Sequence, residues 1–164
     1  MARINIDEYF IEIAKNVALM SEDPSTQVGC VIVNNKNQII STGYNGFPVN
    51  ADKKFMSNDR PMRYHLSVHA EMRALISTKQ SLENCRVYVT HASCENCIKH
   101  LIEAGIREII YDKLFTNGKF INDEKAEAIV RLMRGTGIIH KNLSGKSFID
   151  DIEENSNLNF SNLK

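Results

Sequence analysis

What this 164-residue chain lacks narrows it before any motif is read. It has no net charge, because 20 Lys and Arg balance 20 Asp and Glu. Without a global basic field a long nucleic acid is a disfavoured partner and a small molecule a favoured one. No apolar run approaches the roughly 20 residues that span a bilayer, so no membrane partner is expected. The four cysteines, Cys30, Cys85, Cys94 and Cys97, do not resemble a disulfide framework. No signal-peptide pattern is present, and a reducing, cytoplasmic setting is the expectation. Repeats and internal linkers are missing too. What remains is the composition of one soluble domain, 43% hydrophobic and 24% charged, long enough to bury a core.

The periodicity predicts a helix over 7–20 with Phe10, Ile13, Ala14, Val17 and Ala18 on one face and Asp7 as its cap. Residues 21–25 end it. A β-branched run over 28–33, turn residues at 34–37 and a strand over 38–42 read as a hairpin. Residues 43–63 lack periodicity and read as a long functional loop. Helices follow over 69–78, 94–104 and 123–134, with strands over 86–90 and 107–111 and a short one at 138–141. This order suggests a sheet with helices on both faces. Residues 1–149 form the expected domain, and the polar stretch 150–164 reads as a loosely ordered tail.

Two segments concentrate the chemistry: His69-Ala70-Glu71 and Cys94-Glu95-Asn96-Cys97. One imidazole and two thiolates make three good ligands for a tetrahedral zinc, leaving a fourth position for water and Glu71 to work on that water. Each segment opens a helical stretch, where the dipole favours negative charge. Alone, the CxxC also reads as a redox pair or as half of a four-cysteine site, which no second CxxC completes. Alone, Glu71 reads as a carboxylate satisfying a helix dipole. The joint pattern selects a catalytic zinc site of the H-x-E…C-x-x-C kind used in hydrolytic deamination of nucleobases. Glu71 then takes a proton from the water that attacks the amine-bearing carbon, and delivers protons to the ring nitrogen and the leaving ammonia. His91 lies near enough to line the site, and His100 is expected to face solvent or a neighbour. His65 and His140 are weaker candidates. Cys30 reads as a small buried hydrophobe and Cys85 as a free thiol.

Beyond these motifs the chain resembles the deoxycytidylate (dCMP) deaminases of the cytidine deaminase-like superfamily. The matching segments include Asp23-Pro24-Ser25-Thr26-Gln27-Val28-Gly29 and Gly43-Tyr44-Asn45-Gly46-Phe47-Pro48. Glu103-Ala104-Gly105-Ile106 with Ile109-Ile110-Tyr111 matches as well, and the similarity runs from about residue 7 to 140. The resemblance implies a three-layer α/β/α sandwich around a mixed sheet. It implies one zinc per chain on His69, Cys94 and Cys97, and conversion of dCMP to dUMP on the way to thymidylate. Asn45 would hold the deoxyribose and the Ala70 N–H would meet the pyrimidine O2. Many relatives are hexamers activated by dCTP and inhibited by dTTP, which assigns Gly46 and Phe47 to a regulatory nucleotide site, with Mg2+ accompanying the triphosphate.

Three positions depart from the family pattern. Ser93 stands where proline usually precedes the first cysteine, which predicts a slightly looser ligand loop. Ala92 replaces a bulkier residue, which predicts a wider base pocket. Arg73 replaces the common asparagine, which bears on either the nucleotide contacts or the subunit contacts, a phosphate-facing arginine being one reading. Competing readings are a deaminase of dCTP or of a modified cytosine nucleotide, and a non-catalytic zinc-containing module that senses nucleotides. A polynucleotide deaminase is disfavoured by the zero net charge.

Overall fold

The computed structural model describes residues 1–114 and 122–163. Helix α1 (Ile6–Ala18) is followed by the hairpin β1 (Gly29–Val33) and β2 (Ile39–Tyr44). A short 3-10 turn at Lys53–Phe55 and helix α2 (Met62–Leu66) precede α3 (Ala70–Ser77), so the long loop expected over 43–63 is partly structured. Then come β3 (Arg86–His91), α4 (Glu95–Glu103), β4 (Glu108–Lys113), α5 (Asp123–Thr136), β5 (Ile139–Asn142) and α6 (Phe148–Asn155). The sheet order is β2-β1-β3-β4-β5. β1 runs antiparallel to β2 and β3, while β3, β4 and β5 are mutually parallel. The sheet is therefore mixed.

Side-chain alternation along the central strands sorts the core into two layers. Val31, Val33, Tyr88 and Ile110 face α1, where they meet Phe10, Ile11 and Ala14. Cys30, Ile32, Val87, Val89, Ile109 and Tyr111 face the opposite way, onto α3, α4, α5 and α6. Those two faces make the three-layer sandwich expected from the sequence. None of the described helices is long and apolar enough to cross a membrane.

Two glycines let helices touch the sheet backbone directly. A Cβ on Gly29 would stand 1.9 Å from the Ala14 carbonyl oxygen of α1. One on Gly43 would stand 2.2 Å from the Ala70 oxygen and 2.4 Å from the Ala74 nitrogen of α3. No side chain fits either gap without moving a helix.

Two expectations change. The cap of α1 is Asn5, whose Oδ1 accepts from the Asp7 and Glu8 amides; Asp7 instead lies in the first turn, where its carboxylate accepts the Tyr88 hydroxyl at 2.7 Å. The boundary expected at 149/150 falls inside a helix. Phe148 and Ile152 of α6 are fully buried, Phe160 nearly so, and Asp151 accepts from the buried Tyr111 hydroxyl at 2.6 Å and from Asn142 at 3.1 Å. The tail reads as polar because its few apolar residues are spaced to meet the core from one helical face. Lys164 lies outside the described residues.

His140 is completely buried, stacked on Phe148 at 4.9 Å and edge-on to Tyr111 at 5.0 Å, with neither ring nitrogen hydrogen-bonded among the described residues. Desolvation pulls its pKa down to about 3. The folded state therefore binds no proton there while the unfolded chain does below pH 6.5, so stability falls as pH drops through that window. Unfolding free energy should decline by up to about 1.4 kcal/mol per pH unit from this group between pH 6 and 4. Urea denaturation of His140→Leu should show a shallower acid-side slope. In the same assay Phe148→Ala should cost about 3–5 kcal/mol, as an ordered α6 requires and a loose tail would not.

Candidate metal centre and active site

The parallel part of the sheet delivers one half of the site. β3 ends at His91, and the chain continues beside β4, with the Ala92 amide donating to the Lys113 carbonyl at 2.8 Å. Ser93 is fully buried, and Cys94 then caps α4 in extended conformation. The other half comes from α3, which rests on Gly43 of β2 and whose N-cap is His69. Both cap residues lack a side-chain cap hydrogen bond, leaving imidazole and thiol free for other work. Cys97, one turn into α4, is fully buried.

His69, Cys94 and Cys97 converge so that their ligand atoms all lie within 4.8 Å of one another. The His69 Nδ1 stands 3.5 Å from Cys94 Sγ and 3.4 Å from Cys97 Sγ. Tetrahedral coordination with zinc–sulfur and zinc–nitrogen bonds of ordinary length places sulfur and nitrogen about 3.5 Å apart. The donor set and its spacing therefore fit zinc. Cys30 and Cys85 are free and buried elsewhere in the core.

Electrostatics couple the three ligands. Hydrogen bonding with Cys97 lowers the Cys94 thiol to about 4, helped by His69 against the cost of burial. The same contact and burial push Cys97 up. His69 is raised to about 9, chiefly through its contact with Cys94. Glu71, in the first turn of α3, is 4% exposed, and burial followed by the Cys94 thiolate raises its pKa. A carboxyl held above its usual range beside metal ligands is suited to moving protons near neutrality.

The nucleotide-facing expectations land on one loop. Tyr44-Asn45-Gly46-Phe47 leaves β2 and meets the residue before His69: Gly46 N donates to Val68 O at 3.1 Å, and Val68 N returns to Gly46 O at 2.8 Å. Asn45 is tied to the chain after α1, with Oδ1 accepting from Val28 N at 2.8 Å and Nδ2 donating to Thr26 O at 2.9 Å. Asp23 gathers that chain through the Ser25 and Thr26 amides and the buried Arg63, whose Nε lies 2.8 Å away and whose guanidinium covers the Phe47 ring at 5.1 Å. Ala70 opens α3, so its amide has no partner within the helix.

Arg73 does not present itself as a free phosphate ligand. It is 9% exposed and donates to the carbonyls of Tyr44 and Phe47, each at 2.8 Å. Its three-bonded flank is already used because the loop carbonyls lie directly over it. His91 turns its Nδ1 toward the Thr90 hydroxyl at 2.9 Å, and His100 is exposed with Nδ1 on its own helix at Asn96 O. His65 lies exposed on α2. Sequence reading missed the Asp23–Arg63 ion pair; two opposite charges in a Gly-, Pro- and Asn-rich context were the only signal for it.

Residues 4–113 match the family described as the cytidine and deoxycytidylate deaminase zinc-binding region. A probable deoxycytidylate deaminase of Caenorhabditis elegans is 43% identical over 107 residues, 62% of this chain and 54% of that protein. The chain thus spans about half the length of the nematode relative. The deoxycytidylate deaminase of Mus musculus is 32% identical over 146 residues, 85% of this chain and 80% of its own. In fold, a crystal structure of the dCMP deaminase from cyanophage S-TIM5 with dCMP and dUMP superposes at a TM-score of 0.63, with 21% identity, covering 86% of this chain and 99% of that one.

Ligands bind metal deprotonated. Cys94 is pulled down while Cys97 and His69 are pushed up, so protons held on the latter two must leave before they can bind metal. Zinc binding should release about two protons, and apparent affinity should rise steeply with pH up to about 9. Calorimetry in buffers of different ionisation enthalpy reads this number directly; release of none would contradict the coupled geometry.

Proposed function

Because the chain belongs to the cytidine and deoxycytidylate deaminase family, we propose that it hydrolytically deaminates dCMP to dUMP, a step toward thymidylate. The observation that carries this reading is the His69–Cys94–Cys97 cluster with a buried, raised Glu71 beside it. Relatives of 32–43% identity are named as deoxycytidylate deaminases, which supports a cytosine mononucleotide as substrate. Retention of Glu71 favours an enzyme over a nucleotide-sensing module.

His69, Cys94 and Cys97 would hold the zinc, three protein ligands that leave the metal a fourth position for water. When bound, zinc supplies Lewis acidity that makes a water deprotonate near neutral pH. Glu71 accepts the proton from the attacking water on its carboxylate. The same carboxyl hands that proton to the ring nitrogen, then takes the second proton from the newly added hydroxyl and gives it to the departing amine, so that the carbon–nitrogen bond breaks, the carbonyl forms and ammonia leaves. Burial of Glu71 keeps competing water away and raises its affinity for the proton.

We assign the pyrimidine O2 to the Ala70 amide, which has no partner within α3. Asn45 keeps one Oδ1 lone pair beyond its bond from Val28, enough to accept from a sugar hydroxyl. We extend the proposal to a cytoplasmic homo-oligomer, a hexamer by family likeness, regulated by dCTP and dTTP with Mg2+ beside Gly46 and Phe47. Val49, Phe55, Met62 and Tyr64, all exposed on the segment that follows those residues, support a subunit contact there.

Glu71→Gln should retain zinc and lose at least 10²-fold in kcat, while Cys94→Ala should lose both metal and turnover. Ammonia release with metal analysis checks each. Wild-type turnover by Glu71→Gln would refute the mechanism. A panel of dCMP, dCTP, 5-methyl-dCMP, CMP and cytidine tests the substrate, with dCMP expected to give the highest kcat/KM.

A further inference from the structure

Arg73 sits on the helix that carries His69 and Glu71, yet its guanidinium reaches away from the metal ligands to another element. Nε donates to Tyr44 O at 2.8 Å, and Nη2 donates to Phe47 O at 2.8 Å and Gly46 O at 3.3 Å. The group also covers the Tyr44 ring at 4.8 Å. Among the described residues no carboxylate lies within 4.0 Å of it, so a nearly buried cation is compensated by three carbonyl dipoles and an aromatic face. Such an arrangement costs desolvation that a simple space-filling residue would avoid. The planar fork is what makes it work: one rigid group fixes the directions of three carbonyls within four residues.

We infer that Arg73 is a positioning residue that fixes the Tyr44-Asn45-Gly46-Phe47 loop to the catalytic helix and thereby sets how tightly the nucleotide is held. The inference rests on the deaminase reading, which puts Asn45 against the sugar. His69 and Glu71 are placed independently of Arg73, by the backbone contact of α3 with Gly43 on β2. Loosening the clamp should therefore shift the loop and leave the proton-transfer group where it is. Loss of an interaction common to ground and transition states raises KM and spares kcat.

The test compares wild type, Arg73→Gln and Arg73→Lys as zinc-loaded proteins. For Arg73→Gln we expect KM for dCMP and Kd for dUMP both up about tenfold or more, with kcat within about threefold and one zinc per chain. Amide exchange in residues 44–47 should quicken while residues 73–77 of α3 stay protected. Arg73→Lys keeps the charge without the fork and should fall between. Unchanged KM and Kd, or a kcat loss at constant KM, overturns the inference, as does loss of zinc from folded Arg73→Gln. Should Arg73→Gln fail to fold, wild-type KM in Arg73→Lys overturns it equally. Failure of the wild type to turn over dCMP defeats the deaminase reading instead, and the dUMP and exchange measurements still report on the clamp.

Discussion

Everything at the site hangs on a contact made without side chains. Helix α3 lies on the bare backbone of β2 at Gly43, closer than any Cβ would permit. That contact sets the height of His69 and Glu71 above the sheet, whereas Cys94 and Cys97 are set by where β3 ends. A tetrahedral cluster tolerates errors of only a few tenths of an ångström, so the two placements must agree closely. Gly29 makes the matching approach to α1 on the opposite face. The sheet is thus pinned between two helices at backbone distance, and β1 is buried along its whole length.

Legibility in the sequence followed the range of the interactions involved. The zinc ligands and Glu71 were readable because their chemistry is written in short local motifs, and helix starts follow from periodicity. The strands were readable because 28–33 and 109–111 are apolar on both faces, as central strands must be. Asn5 was missed as a cap because Asp7 competes for the role within the same turn. Helix α6 was missed because its two buried apolar residues, Phe148 and Ile152, are outnumbered by the acids around them. The Arg73 and Arg63 contacts were invisible for a different reason: they join residues 26 to 40 positions apart, and no local pattern encodes them.

Those long-range polar contacts share a purpose. Residues 23–28, 44–47 and 58–63 carry little apolar surface, so hydrophobic burial cannot hold them. Asp23, Asn45 and Arg73 instead satisfy backbone groups of residues 23–28 and 44–47, and Arg63 ties the third segment to the Asp23 carboxylate. Directional bonds of this kind specify a shape more sharply than they add stability. A surface that must distinguish one small polar ligand from another benefits from that trade.

The beginnings of the helices tell the same story in another currency. Helices α1, α5 and α6 start on Asn5, Asn122 and Ser147, whose side chains close onto the backbone amides behind them. Helices α3 and α4 start on His69 and Cys94, whose side chains do not. The positions best able to secure those two helices were surrendered to coordination. A chelator would consequently act on this protein as an unwinding agent, loosening the first turns of α3 and α4 together. Conversely, any attempt to harden the fold by importing the most common cap residues would improve it everywhere except at 69 and 94, where the same improvement would abolish it as a metalloprotein.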